Sequence, residues 1–278
     1  VSGTLYVVGT PIGNLGDVTR RGAETLAASD RIVAEDTRRT RALLTHLGIT
    51  GKPLTALDAN AGERAVEAVV QRLESGESVS FVTDAGMPAI SDPGSALVRA
   101  AAERGIAVIA VPGPSAVTAA VAVSGLVDGP FLFLGFLPRG GEKRQRLVRR
   151  ITRSREPVVL FEAPGRAEDT LKELALAMPE RQACIARELT KLHEEVRRGT
   201  LSVLAGEETT ARGEFTIVVA GLEGEEPDEI DVDSLVLTLL GSGASPRTVA
   251  EEVSTLSGKP KREVYARVLE LRRRDDTD

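Results

Sequence analysis

The sequence predicts an α/β protein: a parallel-sheet domain, a second domain with a mixed sheet, and a small helical appendage at the C-terminus. Three observations carry this reading. Apolar β-type runs alternate with amphipathic stretches from Thr4 onward. The turn-rich break Ser124-Gly125-Leu126-Val127-Asp128-Gly129-Pro130 interrupts that alternation. The stretch 223–231 (EGEEPDEID) holds six acids and a proline, the composition of a solvated linker. The expected domains are therefore 1–125, 130–222 and 231–274, in keeping with 278 residues at about 150 residues per domain.

In the first domain the expected strands are 4–9, 31–35, 53–57, 78–83 and 106–111, with helices over 17–28, 37–47, 62–75, 94–104 and 114–124. Strands that are apolar on both faces and separated by helices belong to a parallel sheet covered on both sides. After the break come strands at 131–136, 157–163, 182–188, 194–200 and 214–221, with helices over 139–155 and 166–177 and a short helix before the last strand. Polarity alternates near 194–200, as in a half-exposed antiparallel strand. Helical periodicity resumes over 232–241, 246–256 and 260–273; Ser245-Pro246 supplies a cap and a first-turn proline.

Composition narrows the chemistry. One cysteine, Cys184, excludes a disulfide framework and a Cys-based zinc or iron–sulfur site, and two histidines leave little for a His-rich metal centre. With no Trp, two Tyr and six Phe, extensive base-stacking platforms are not expected. The formal net charge of −6 argues against a protein that coats nucleic acid non-specifically. Against that acidic background, 139–155 (RGGEKRQRLVRRITRSR) sets eight Arg and Lys against the single acid Glu142, which points to an anionic partner held in one place. No apolar run approaches the about 20 residues of a membrane span, and VSGTLYVVG enters a strand with no basic leader, so a cytoplasmic protein is expected.

Three loops fall where open parallel sheets bind ligands, beyond the carboxyl ends of their strands. Gly9-Thr10-Pro11-Ile12-Gly13-Asn14 is neither a dinucleotide fingerprint nor a P-loop and also reads as a tight turn. The stretch 83–94 (TDAGMPAISDPG) has no regular periodicity; its glycines allow close backbone approach, Met87 and Ile90 offer apolar walls, and either aspartate could cap the following helix. In 111–117 (VPGPSAV), Ser115 either begins a helix or offers a hydroxyl and helix-end amides to a ligand. Charged groups nearby are Asp36, Arg38 and Arg41, which also read as a capped, solvated helix face. Glu162, Glu188 and Lys191 are further candidates to accept or orient a proton, or to form surface ion pairs.

Taken together, LYVVGTPIGNLGDVT, VAEDTRRTRALL, VTDAGMPAISDPG, VPGPSAV, FLFLGFLPR, VLFEAPGR and ARELTKLHEEVRRGTL closely resemble the ribosomal RNA small-subunit methyltransferase I family. These are bacterial 2′-O-ribose methyltransferases of the tetrapyrrole methylase superfamily, acting on a cytidine in the decoding region of 16S rRNA. The match runs over about residues 4–221, and the helical tail is similar to the family's C-terminal extension. The resemblance implies a two-domain tetrapyrrole-methylase-like fold, a homodimer, and S-adenosylmethionine held between the domains. Matching motifs place Ile12, Ala85, Gly86, Met87, Ile90, Ser115, Ala116, Glu162 and Phe215 at the cofactor, with Asp84 shaping that loop. Asp36, Glu162, Glu188 and Lys191 are the candidate proton acceptors or orienters, with Arg38 as a phosphate or oxyanion partner. Arg139, Lys143, Arg144, Arg146, Arg149 and Arg150 are expected to grip phosphates of the small-subunit rRNA, free or in the assembled subunit. No metal is implied. The chain departs from the family at Asp58-Ala59-Asn60, where a His commonly precedes the Asn. Two other functions compete. A small-molecule tetrapyrrole methylase would carry a GxGPGD-like first loop, which GTPIGN is not. A non-catalytic RNA-binding module would bind through 246–273, where basic residues are mixed with acids.

Overall fold

The first sheet has the order β3-β2-β4-β1-β5, all parallel, and is built from β1 (Thr4–Val8), β2 (Arg31–Ala34), β3 (Leu54–Ala56), β4 (Val79–Val82) and β5 (Ala107–Val111). The structure, a computed structural model, describes residues 2–58, 61–89, 94–207, 213–222, 232–241, 243–257 and 259–275. Helices α1 (Arg20–Ala28), α2 (Thr37–His46), α3 (Glu63–Glu74) and α4 (Gly94–Glu103) connect the strands. One face of the sheet is closed by Val69, Val70 and Leu73 of α3 with Leu97 and Ala101 of α4. The other is closed by Leu26 of α1 with Leu43 and Leu44 of α2. Every residue of the central strand β4 is buried, as expected of a strand covered on both sides.

Two local differences from the sequence reading have clear causes. The helix expected over 17–28 is a 3-10 turn, Leu15–Asp17, followed by α1. Asn14 caps the turn by accepting the Gly16 N–H, and Thr19 caps α1 by accepting the Gly22 N–H, so two capping side chains divide one segment. The strand expected to be covered on both sides at 106–111 is instead an edge strand, with Ala107, Ile109 and Ala110 exposed. Periodicity cannot reveal which strand of a sheet stands last.

Helix α5 (Ala116–Ser124) leaves the first sheet and packs on the second, where Val117 and Ala120 meet Val159, Cys184, Ala186 and Val218. That second sheet has the order β6-β7-β10-β8-β9, from β6 (Leu132–Phe136), β7 (Val158–Glu162), β8 (Gln182–Arg187), β9 (Glu195–Thr200) and β10 (Phe215–Val219). Only β6 and β7 pair in parallel; the other pairings are antiparallel, so the sheet is mixed. Helices α6 (Gly141–Arg153), α7 (Ala167–Ala177) and α8 (Leu201–Gly206) cover its far face through Ile151, Leu171, Leu174, Leu201 and Leu204.

Val1–Leu222 form one unit and Glu223–Asp278 a second. The second contains α9 (Val232–Gly241), α10 (Pro246–Ser257) and α11 (Lys261–Asp275) around Val236, Val249, Val253, Val264 and Val268. Ser245 accepts the Thr248 N–H at the start of α10, and Arg267 pairs with Asp233 and Glu270. Among the described residues, no helix is long and apolar enough to cross a membrane.

Candidate active site

The loops after β1, β4 and β5 are locked together by their backbones. Thr10 and Gly86 exchange two backbone hydrogen bonds (2.9 and 3.0 Å), and the Gly9 N–H donates to Val111 O at 3.0 Å. A Cβ on Gly9 would lie 2.6 Å from Gly113 Cα, so these two glycines make a contact that no side chain permits. Gly86 has φ +81°, the left-handed region where glycine is favoured. The Thr10 hydroxyl, buried, donates to Thr83 O at 3.1 Å.

Two adjoining cavities open around these loops. The larger, about 400 Å³, lies within the size range of small-molecule sites. Ile12, Met87, Val117, Phe136, Phe161 and Phe215 give it apolar walls, while Glu35, Asp84, Glu162 and Glu214 make its polar lining predominantly acidic. The smaller, about 280 Å³, lies between Thr10–Leu15, the Arg39–Leu43 face of α2, and Lys191. Ile12, Arg39, Thr83, Asp84, Ala85 and Glu214 line both.

Asp84 sits in a cluster of charge. Its Oδ1 accepts the Asp36 N–H at 3.1 Å, and Arg39 Nε approaches its Oδ2 at 3.4 Å. Beside it, Glu35 accepts the Thr83 hydroxyl at 2.6 Å. Burial and then the Glu35 charge push the Asp84 carboxyl above its ordinary value, against the pull of Arg39.

Glu162 is buried, and both its carboxylate oxygens are engaged. One oxygen takes the Ala163 N–H at 2.9 Å and Arg166 at 2.5 Å; the other takes the Thr170 hydroxyl at 2.7 Å, with Arg144 at 3.9 Å. A third cluster joins Lys191 to Glu188 (2.7 Å) and Glu214 (3.2 Å). Burial opposes the Lys191 charge, but the Glu188 hydrogen bond and the two carboxylates outweigh it and hold its pKa above the ordinary lysine value. The Lys191 hydrogen bond, then the Glu214 N–H, holds Glu188 below the usual carboxylate range. Glu188 occupies the left-handed region at φ 51° within this network.

Of the residues singled out from the sequence, Ile12, Asp84, Ala85, Gly86, Met87, Ser115, Ala116, Glu162 and Phe215 all line the larger cavity, and Lys191 lines the smaller. Ile90, Ala59 and Asn60 lie outside the described residues. Asp36 and Arg38 line neither cavity. Asp36 caps α2 through the Arg38 N–H and pairs with the exposed Arg38 side chain at 2.7 Å, which is the capped helix face the spacing also allowed. Arg144 differs from the rest of the basic helix. It turns inward to Glu173 (2.6 Å), the Thr170 hydroxyl (2.9 Å) and Pro138 O (3.1 Å), a placement that does not suit a phosphate contact. Arg139, Lys143, Arg146, Arg149 and Arg150 are exposed.

Sequence reasoning passed over Glu35, Arg39, Phe136, Phe161 and Glu214. Glu35 directly follows the buried Ile32–Ala34 end of β2, and Arg39 follows Arg38 by one position, and this one-residue offset decides which arginine faces the cleft. The two phenylalanines sit within apolar runs that read as core.

The Arg38 hydrogen bonds, side chain first, hold the Asp36 carboxyl down at about 2, from an ordinary 3.8. A depressed carboxyl binds protons less in the folded chain, so its stabilising effect is complete above the unfolded value and lost as pH falls through about 2. Asp36→Asn should therefore flatten the acid limb of a stability-against-pH curve between those values, measured by denaturant unfolding. An unchanged acid limb would refute the assignment.

Residues 4–205 match the family described as Tetrapyrrole (Corrin/Porphyrin) Methylases. Among solved structures, diphthine synthase superposes with a TM-score of 0.63 at 18% identity, covering 78% of this chain and 90% of that one, a likeness of fold. The chain belongs to the tetrapyrrole methylase family, a class of methyltransferases that take their methyl group from S-adenosylmethionine. "Ribosomal RNA small subunit methyltransferase I" of Halalkalibacterium halodurans is 41% identical over 275 residues, which is 95% of this chain and 93% of the relative. The relative of the same name from Thermotoga maritima is 45% identical over 223 residues, which is 80% of this chain and 100% of the relative. Within the tetrapyrrole methylases, this chain is a member of the ribosomal RNA small subunit methyltransferase I family.

The larger cavity fits the methyl donor. S-adenosylmethionine carries a flat apolar base and a cationic sulfonium, and this cavity pairs phenylalanine, methionine and isoleucine walls with the carboxylates of Glu35 and Glu214.

Proposed function

We propose that the chain methylates the 2′-oxygen of a cytidine ribose in the decoding region of small-subunit ribosomal RNA, as a cytoplasmic homodimer. The carrying observation is the basic helix. Arg139, Lys143, Arg146, Arg149 and Arg150 are exposed, and among the described residues none forms an ion pair. Elsewhere some exposed arginines are engaged by carboxylates, as Arg20, Arg72 and Arg104 are, and others, such as Arg41, Arg64 and Arg99, are scattered singly. What sets this segment apart is its concentration of five such cations within residues 139–150. The helix begins five residues after Phe136, a wall of the larger cavity, so a phosphate backbone held there passes the mouth of the site.

In this reading the two sheets are the cores of domains 1–125 and 130–222. Ile12, Ala85, Gly86, Met87, Ser115, Ala116, Glu162 and Phe215 hold the donor at their junction. When bound, S-adenosylmethionine supplies a methyl group on positively charged sulfur. The chain's part is alignment, exclusion of water by the aromatic walls, and neutralisation of positive charge by Glu35 and Glu214.

The open edge of the first sheet supports the dimer. Ile109 is 43% exposed between exposed Ala107 and Ala110 on β5, and an apolar edge strand is normally paired or covered. Ile109→Glu is expected to convert dimer to monomer in sedimentation velocity, with helix content unchanged. A variant that sediments like the parent would remove this edge from the interface.

The decisive experiment combines purified protein, methyl-labelled donor and small ribosomal subunits from a strain lacking the activity. Nuclease digestion and mass spectrometry then locate the label. Label on a cytidine 2′-oxygen is the expected result; label on a base, or none despite donor binding, overturns the reading.

A further inference from the structure

We propose that the smaller cavity receives the target nucleotide swung out of its RNA stack, and that Asp84, on the wall it shares with the larger cavity, takes the proton of the target hydroxyl. The inference rests on reading the chain as a ribose methyltransferase whose donor occupies the larger cavity.

The argument begins from adjacency. Donor and acceptor atoms must meet, and the two cavities meet only along the residues that line both. A cavity of about 280 Å³ admits one nucleotide, and only after it leaves its neighbours. The chemistry of the walls suits that occupant: Pro11, Leu15 and Leu43 are apolar, and Arg39 and Lys191 bring positive charge for a phosphate.

Three ionisable groups stand on the shared wall: Arg39, Asp84 and Glu214. A guanidinium has no proton-accepting role at neutral pH. Glu214 is 67% exposed and held by Lys191. Asp84 is 26% exposed, and its Oδ2 lies 3.4 Å from Arg39, beyond a normal charge-assisted hydrogen bond, so that oxygen keeps a lone pair to offer. The groups facing Asp84 are Glu35 from the end of β2, Asp36 and Arg39 from the start of α2, and Arg38 at longer range, with the Lys191–Glu188–Glu214 cluster across the smaller cavity. Burial and Glu35 raise the Asp84 carboxyl, which makes it a stronger base than an ordinary aspartate.

The step balances without another reactant. The ribose oxygen forms a bond to the methyl carbon as the carbon–sulfur bond breaks, its electron pair passing to sulfur. The hydroxyl proton passes to Asp84, so a sulfonium and a carboxylate become a neutral thioether and a neutral carboxylic acid.

Two variants separate the parts of the proposal. Ala42 is exposed on α2 and lines the smaller cavity alone, so Ala42→Trp fills that space without entering the donor's. The substrate is a small subunit reconstituted with rRNA carrying 2-aminopurine beside the target, whose fluorescence rises when the neighbouring nucleotide unstacks. Donor affinity is followed by calorimetry and transfer by single-turnover rates across pH.

The parent should show the fluorescence rise. Ala42→Trp should lose both the rise and methyl transfer while binding donor as the parent does. Asp84→Asn should keep the rise and donor affinity, yet transfer about 10²- to 10⁴-fold more slowly and lose the rising limb of the pH–rate profile. Asp84→Glu should recover part of the rate and restore that limb. Transfer at the parental rate by Ala42→Trp overturns the nucleotide cavity. A parental rate or an intact pH limb in Asp84→Asn, or a rate loss matched by lost donor affinity, overturns the proton role. A parent that binds donor but labels no ribose overturns the functional reading itself, whereas a labelling parent with unaffected variants overturns only this proposal.

Discussion

Replacing Glu162 by Ala is expected to lower the free energy of unfolding by about 3–5 kcal/mol, the cost of leaving buried charge without its partner. Its carboxylate takes an N–H, a hydroxyl and a guanidinium directly, with a second guanidinium at 3.9 Å, in a position with no solvent exposure. Removing it leaves Arg166 facing a void at the wall of the donor cavity and removes the acceptor of the Thr170 hydroxyl. Arg144 keeps Glu173 and Pro138 O, so the damage centres on Ala163–Arg166. Denaturant unfolding and calorimetric donor titration should both register the change. A stability loss below about 1 kcal/mol would show that solvent or neighbouring groups replace the carboxylate. Because both oxygens are engaged by an N–H, a hydroxyl and a guanidinium in a position closed to solvent, Glu162 acts as a structural anchor of the cavity, and proton transfer falls to another group.

The combined substitution of Arg146, Arg149 and Arg150 by Ala is expected to have the largest effect on RNA affinity. Each phosphate contact contributes about 0.7 to 0.9 to the slope of log affinity against log salt, so losing three should flatten that slope by about 2 to 3. Fluorescence anisotropy over a salt series measures it directly. Thermal stability should hardly move, since among the described residues none of the three forms an ion pair. Arg144→Ala should behave in the opposite way, weakening the fold through Glu173 and Thr170 and leaving the salt slope as it was. A triple variant with the parental slope would place the RNA on another face.

Much of the fold could be read in the sequence because its strands carry their own evidence. Val79–Val82 is wholly apolar or small, and it is the central buried strand. Ser245-Pro246 starts a helix where capping chemistry says it must. The loops after β1, β4 and β5 were also legible as a group, since glycine and proline mark backbone that neither helix nor strand can use. Side-chain direction was not. Arg38 and Arg39 are equivalent in composition, yet only Arg39 lines the cavities, because Asp36 caps the helix and draws Arg38 to itself. Arg144 is one of eight cations in a basic run, and its inward turn depends on Glu173, which lies on a helix the sequence places 29 residues away. Glu35 at the end of a buried strand could have been found by asking why an acid follows Arg31–Ala34. Phe136 and Phe161 could not have been told from core residues without knowing which sheet edge borders the cleft.

The paired amides of Thr10 and Gly86, with Gly9 donating to Val111, have a kinetic consequence. Neither the turn after the first strand nor the turn after the fourth can lift away without breaking hydrogen bonds that belong to the other. These segments should therefore open as one cooperative event, their amide protons exchanging with solvent at a common rate although they lie more than seventy residues apart in the chain. An insertion or deletion in one turn would be felt at once in the other, so their lengths can change only in concert.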